Sequence, residues 1–390
     1  MRRVIGLISF GLFLTAASLA FLPQRGHAAD AQEFKIGWAL PLTGPVAELA
    51  KSYADGVEVA IATINASGGI GGLHARMIMC DTQSQEQQAV ICVKKLINDD
   101  QVNLMLGATG TPPTLAVIPT IEASGIPMFA IAAGRTTWVP MKKWVFKAIQ
   151  ANDDFAQHQI AFLKKKGWTK VALIRDNGSL GKDISDAFHN FAKQGGVEII
   201  ADETMAATDT DVTAQVTRIR AAKPDAILVQ GPSMPADVMI SKKIVQLGIT
   251  APLLVSTNAQ LEAFIKLVPE AVEQSLWSSP KMAVKNLPES DPLYPAIKTF
   301  TDAYKKMKNG AQPSANAAGV ADEILLTQAV GKPLGAKVLD KGALRDAYEG
   351  ARKVPGLQGF WTFSATDHGT SFADGLIMVK YDKGDWVPVE

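Results

Sequence analysis

The chain has 390 residues, a length that suits two domains better than one. Hydrophobic residues make up 47% and charged residues 20%, which excludes a disordered or collagen-like chain and permits a large core. Lys+Arg is 39 and Asp+Glu 38, a formal charge of +1, so the basic excess of a dedicated nucleic-acid binder is missing. Two cysteines are too few for a disulfide scaffold or a four-cysteine zinc site.

In chain order, Arg2 and Arg3 precede an apolar run from Val4 to Leu22, followed by Gly26-His27-Ala28-Ala29. The run is long enough to span a bilayer, but its small-residue exit reads as a secretory leader, residues 1–28, cut after Ala28. No cysteine stands at that exit to carry a lipid anchor. Loss of Arg2, Arg3 and Arg25 with no acid would take the charge from +1 to −2, still near neutral.

Beyond the leader two periodicities alternate. Short β-rich runs lie at Phe34–Leu40, Met77–Cys80, Val102–Leu106, Ile126–Ala130, Lys170–Arg175, Val197–Ala201, Ala226–Gln230 and Pro252–Ser256. Helical spacing fills Glu48–Asn65, Gln85–Asn98, Phe155–Lys166, Asp183–Gln194, Thr213–Ala222 and Ala236–Leu247. This alternation predicts an α/β protein with parallel sheets covered on both faces. Because the alternation restarts near residue 150, two doubly wound lobes fit better than one long sheet. Cys80 ends a strand-like run and Cys92 lies on the next helical segment, so in an oxidising compartment they either close a disulfide or remain as two small buried thiols. The segment 277–300, rich in proline, reads as a crossing. Helices are expected at Ile297–Lys308, Ala315–Val330 and Lys341–Glu349, and terminal strands at Phe360–Phe363 and Gly375–Tyr381.

Catalytic signatures are missing. The histidines (His27, His74, His158, His189, His368) form no His-x-x-x-His pair, and no Walker loop appears. Asn177-Gly178-Ser179-Leu180-Gly181 fails the nucleophile-elbow pattern at its first position. The glycines of Ser67-Gly68-Gly69-Ile70-Gly71-Gly72 follow a helix, so they suit a C-cap and turn rather than a dinucleotide loop. Asp99-Asp100 and Asp153-Asp154 sit at helix borders and read as caps. No nucleophile, base, metal set or cofactor site can be named, and an enzyme is not expected.

One stretch is more specific. Phe34-Lys35-Ile36-Gly37-Trp38-Ala39-Leu40-Pro41-Leu42-Thr43-Gly44-Pro45 leads through Gly56 to Ile64-Asn65-Ala66-Ser67-Gly68-Gly69, then Cys80-Asp81-Thr82-Gln83 and Leu106-Gly107. Thr111, Gly125-Ile126-Pro127-Met128, Arg175-Asp176, Gly181, Pro224-Asp225-Ala226-Ile227 and Ser364-Ala365-Thr366-Asp367-His368-Gly369 follow in order. This succession resembles the periplasmic leucine/isoleucine/valine-binding proteins that feed ABC importers, over essentially the whole chain after the leader.

The resemblance implies two lobes of periplasmic-binding-protein type I joined by three hinge crossings, with one ligand in the cleft between them. On that plan residues 29–150 with 277–360 form the N-terminal lobe, and 151–276 with 361–390 the C-terminal lobe. It further implies a periplasmic monomer that delivers a small carboxylate, an amino acid or an organic acid, to an inner-membrane ABC permease without chemistry. The rival readings are a soluble ligand sensor and, more remotely, an exported α/β enzyme.

The family pattern places the ligand carboxylate against Thr111, whose alternative role is a helix N-cap, and against backbone at Ala132 and Gly134, or Thr136 if a gap intervenes. Arg135 either adds charge there or is a solvated rim residue. Leu49 stands where an amino-acid binder often has an aromatic ring. In the second lobe the aromatic positions are Leu180 and Ser233, and Thr257 replaces an acid that would pair an ammonium. The nearest carboxylates are Asp237 and Glu262. An unpaired buried ammonium is costly, so the cleft is expected to suit an organic acid with an aliphatic or aromatic body, or a neutral amide. His368 either touches ligand or turns between terminal strands, and Trp38 and Trp361 are expected in core or hinge.

Overall fold

The computed structural model describes residues 32–44, 47–256 and 262–389. The first lobe opens with β1 (Glu33–Leu40), α1 (Ala47–Ala66), β2 (His74–Asp81), α2 (Glu86–Asn98), β3 (Leu104–Leu106), α3 (Thr111–Ser124), β4 (Met128–Ala130) and β5 (Val145–Lys147). Its five strands pair in the order β2-β1-β3-β4-β5, all parallel. Strand alternation divides the core between two faces. Phe34, Ile36, Trp38 and Leu40 enter one apolar cluster, while Ala39, Met105, Met128 and Val145 join another with α2 and α3.

The second lobe follows with α4 (Asn152–Lys165), β6 (Lys170–Asp176), α5 (Ser179–Gly195), β7 (Glu198–Met205), α6 (Thr213–Ala222), β8 (Ala226–Gln230), α7 (Met234–Gln246), β9 (Leu253–Val255), α8 (Glu262–Leu267), α9 (Pro269–Val272) and β10 (Ser275–Pro280). Then come α10 (Tyr294–Met307), α11 (Ala315–Gly331), α12 (Lys341–Glu349), β11 (Val354–Pro355), β12 (Phe360–Trp361), β13 (Leu376–Asp382) and β14 (Asp385–Pro388). The second sheet runs β14-β13-β10-β9-β8-β6-β7. Its β6–β10 core is parallel and its last two strands are antiparallel.

Two expected borders move. Ser275–Pro280 is a strand of the second sheet, pairing with β9 and β13, so the second lobe runs to Pro280 rather than 276. The stretch was legible only as a crossing because its serines and proline disguise a buried strand. Ser275, Ser278 and Ser279 are fully buried, and Ser275 and Ser278 spend their hydroxyls on Ala271 O and on the His158 ring. Conversely, Trp361, Phe363 and Phe372 belong to the first-lobe core, where Phe129 packs edge-on against Trp361 and Tyr348. The return to the second lobe therefore falls near 373–375, not at 361.

Helices α10–α12 cover the first sheet together with α1. Gly56 of α1 lies so close to α11 that an added Cβ would sit 1.8 Å from Ala317 O. Trp38 and Trp361 are fully buried in this core. Cys80 of β2 and Cys92 of α2 are joined in a disulfide with Cα atoms 5.5 Å apart, rather than remaining as thiols.

The crossings are polar and stapled. Lys147, at the end of β5, pairs with Asp154 in the first turn of α4 at 2.6 Å and donates to Thr370 O at 2.9 Å. Asp154 also accepts from Ala151 N and Phe372 N. Both ionic side chains are almost wholly buried. Asp154 is thus more than the helix cap its sequence position suggests. Gln358 adds a second staple, donating to Ala148 O and Gly319 O while accepting from Gln150 N.

Candidate functional site at the carboxyl ends of the two sheets

In open α/β sheets, ligands bind outside the carboxyl ends of the strands. In the first lobe that edge holds the loop after β1, the turn after β3 and the loop after β4. Asp81 pins the first loop, accepting from Thr43 Oγ1 at 2.7 Å and from Gln83 N at 2.8 Å. These bonds hold its carboxyl below the usual range, against a desolvation penalty that acts the other way. Leu42 is left 45% exposed at the rim.

The turn after β3 ends in Gly110, whose φ of 94° makes it the residue before α3. Thr111 is therefore the first helical residue and not the N-cap. Its Oγ1 accepts from Gly134 N at 3.2 Å. Gly134 approaches so closely that a Cβ there would lie 2.6 Å from that oxygen. Pro112 and Pro113 have no N–H, and Thr114 N is bonded to Gly110 O. The start of α3 thus offers an anion little more than the Thr111 hydroxyl and N–H. Nearby, Thr109 Oγ1 is buried without a partner.

The other first-lobe expectations fare differently. Ala132 is buried and its N–H is spent on Ala130 O, which leaves only its carbonyl. Arg135 is not a free rim charge: it pairs with Asp153 in the first turn of α4. Burial raises the Asp153 carboxyl while this guanidinium opposes the rise. Leu49, near the start of α1, is half-buried against the first-lobe core. His368 is core rather than cleft: its ring stacks on Phe146 at 3.9 Å and contacts Val145 O and Glu349.

The second lobe presents a recess of about 160 Å³ between α4, α5 and the ends of β8 and β9. Leu180, 47% exposed in the first turn of α5, lines it with Phe155, Ile184 and Phe188. Gln159, Gln230, Gly231 and Ser256 supply its polar wall with Asn152. Ser233 lies outside this wall, as the exposed N-cap of α7, with no side-chain capping bond. Thr257 and the side chain of Glu262 lie outside the described residues.

Asp237 is fully buried behind the recess, not in its lining. It accepts from Gly231 N and Ser256 Oγ, both at 2.7 Å. Burial pushes its carboxyl up to about 7, against the pull of those two bonds. Among the described residues, no carboxylate lines this recess.

Gln159 and Gln230 are the residues that sequence reasoning missed. Gln159 is 2% exposed and Gln230 7% exposed, yet Gln159 Oε1 and Gln230 Nε2 have no hydrogen-bond partner. Leaving such a group buried and unpaired costs about 1–3 kcal/mol. A signal was present: Gln159 interrupts the buried stripe Ala156, Ile160, Leu163 of α4, and Gln230 closes a wholly buried strand. A polar side chain on a core stripe needs a partner.

The chain resembles known proteins along nearly its whole length. A family model described as periplasmic binding protein matches residues 33–385. The Leu/Ile/Val-binding protein homolog 3 of Brucella melitensis is 24% identical over 377 residues, covering 96% of this chain and 98% of that protein. A branched-chain amino acid ABC transporter structure from Rhodospirillum rubrum has a TM-score of 0.79 at 21% identity, covering 92% and 100% of the two chains. The substrate binding protein LivJ of Streptococcus pneumoniae, solved with isoleucine, has a TM-score of 0.67 at 23% identity, also covering 92% and 100%. No helix among the described residues is long and apolar enough to cross a membrane.

Proposed function

Because the chain belongs to the periplasmic binding protein family, a family of transporter binding proteins and not enzymes, we propose that it is the solute-binding component of an ABC importer of the branched-chain amino acid type. It captures a small carboxylate between its lobes and hands it unchanged to an inner-membrane permease. It reaches the periplasm by a leader removed after Ala28 and works as a monomer.

The observation that carries this reading is the pairing of Thr111 Oγ1 with Gly134 N at the first sheet's edge, in a molecule whose second sheet ends in an apolar-walled recess. The Thr111 hydroxyl and N–H receive the carboxylate, with Gly134 N turning toward it. The body of the ligand lies against Leu42 and Leu180, which are exposed apolar side chains at the two edges. A ligand touching both lobes gains its full set of contacts only when they close, so binding selects the closed form. Closure is then the message read by the permease.

Mass spectrometry of the small molecule carried by the exported protein tests the reading. One intact carboxylate per chain is expected, with the amino terminus at Ala29. Recovery of a chemically altered product, or a retained leader, would contradict it.

A further inference from the structure

The second-lobe recess holds two buried side-chain amides, Gln159 on α4 and Gln230 at the end of β8, facing a space walled by Leu180, Ile184 and Phe188. One leaves an oxygen and the other a nitrogen without any partner. Resting on the carrier function above, we propose that this recess recognises a neutral primary amide, so that the ligand carries a carboxamide at the end opposite its carboxylate.

The chemistry follows from counting donors and acceptors. A primary amide offers both: its NH2 reaches Gln159 Oε1 and its carbonyl accepts from Gln230 Nε2. The match survives rotation of both glutamines together, since the ligand amide turns with them; rotation of one alone would favour the acid or the ammonium, which the ligand series below distinguishes. An ammonium has only donors, so it would leave Gln230 Nε2 unpaired and bring a charge without a counter-ion in the lining. A carboxylate has only acceptors and would set its charge against Gln159 Oε1. Ser256, whose hydroxyl proton is committed to Asp237, can add only an acceptor, which the second hydrogen of an amide NH2 can use. The apolar wall takes the carbon body, and the size of the recess limits the head group to a small one.

The test uses matched ligands that share a carboxylate and differ only at the other end. Succinamate, succinate and 4-aminobutyrate form an aliphatic series. 4-Carbamoylbenzoate, terephthalate and 4-(aminomethyl)benzoate form an aromatic one. Calorimetry on the whole protein, freed of carried ligand, should show the amide of at least one series binding at least roughly tenfold tighter than its acid and ammonium partners. Gln159→Met and Gln230→Met, near in volume to the native side chain, should each erase that preference. A preference for the ammonium or the dicarboxylate in the unaltered protein would overturn the proposal, whatever the variants do. So would an amide preference that both variants retain. If leucine or another carboxylate without an amide binds the native protein and closes its lobes while no amide of either series binds more tightly than its partners, the amide assignment falls and the carrier function stands. If no carboxylate of either series binds or closes the lobes, and the carried molecule is not a carboxylate, both fall together.

Discussion

The two lobes are built on the same plan, yet they arm their cleft edges differently. The first lobe offers a hydroxyl and backbone from one short turn, and its nearby arginine is already neutralised by Asp153 across the hinge. The second offers neutral amides set in an apolar wall, with its carboxylate, Asp237, withdrawn behind Gly231 and Ser256. If the second edge takes an amide as proposed, the two edges divide the work, the first holding the carboxylate and the second selecting the head group.

The comparison supposes one hinge serving both lobes, and breaking that hinge should have the largest effect. Asp154→Ala strands Lys147 in a nearly dry site, so it should cost about 3–5 kcal/mol in urea unfolding, whereas replacing both partners by apolar residues should cost much less. Equal losses for the single and double variants would show that the ion pair does not staple the crossings. Next in size is the first-lobe disulfide. Cys80→Ser with Cys92→Ser should lower stability by about 3 kcal/mol and leave second-lobe variants additive with it.

At the cleft, Thr111→Val should weaken carboxylate binding by about tenfold to a hundredfold, the worth of a hydrogen bond to a charged group. Gly134→Ala should do the same by driving a methyl into the Thr111 hydroxyl. Calorimetry that found either variant unchanged would remove the first-lobe anchor from the account.

The smallest expected effect is a pH slope. Asp237 in the second lobe and Asp322 in the first are each held near 7 by burial, and Glu323 is pushed well above its usual value for the same reason. A carboxyl raised on folding stabilises fully below its unfolded pKa of about 4 and loses that contribution as pH rises through its folded value. His158, lowered to about 4 chiefly by burial, works the other way and stabilises only above its unfolded value near 6.5. Between about pH 4 and 7 these carboxyls are protonated in the fold and ionised in the unfolded chain, so each makes stability fall with rising pH by up to about 1.4 kcal/mol per pH unit, offset by the histidine only below about 6.5. Asp237→Asn should flatten this slope, and urea midpoints across the range would show it. A slope unchanged by the substitution would mean that Asp237 ionises as freely in the fold as in the unfolded chain.

How much of this was legible follows the same division. Strand–helix alternation announced both sheets because buried parallel strands such as Val171–Ile174 are continuous apolar runs. Polar strands escaped: β5 ends in the buried Lys147, whose partner Asp154 lies beyond the crossing, and β10 hides its burial behind serines that find hydrogen bonds only in the folded molecule. Thr111 was reached through the family pattern, and the structure adds its place, in the first turn of α3 beyond the carboxyl end of β3. Gln159 and Gln230 could not be paired from sequence, since their meeting depends on α4 and β8 converging in space. Arg135 misled for a similar reason, its partner Asp153 standing across a chain crossing.

The central claim is that a hinged pair of lobes closes on a molecule and keeps it intact. Small-angle scattering of the ligand-free protein, before and after adding back the molecule that co-purifies with it, tests this most directly. The account predicts a smaller radius of gyration on addition, at one molecule per chain. An unchanged radius at saturating ligand would contradict it.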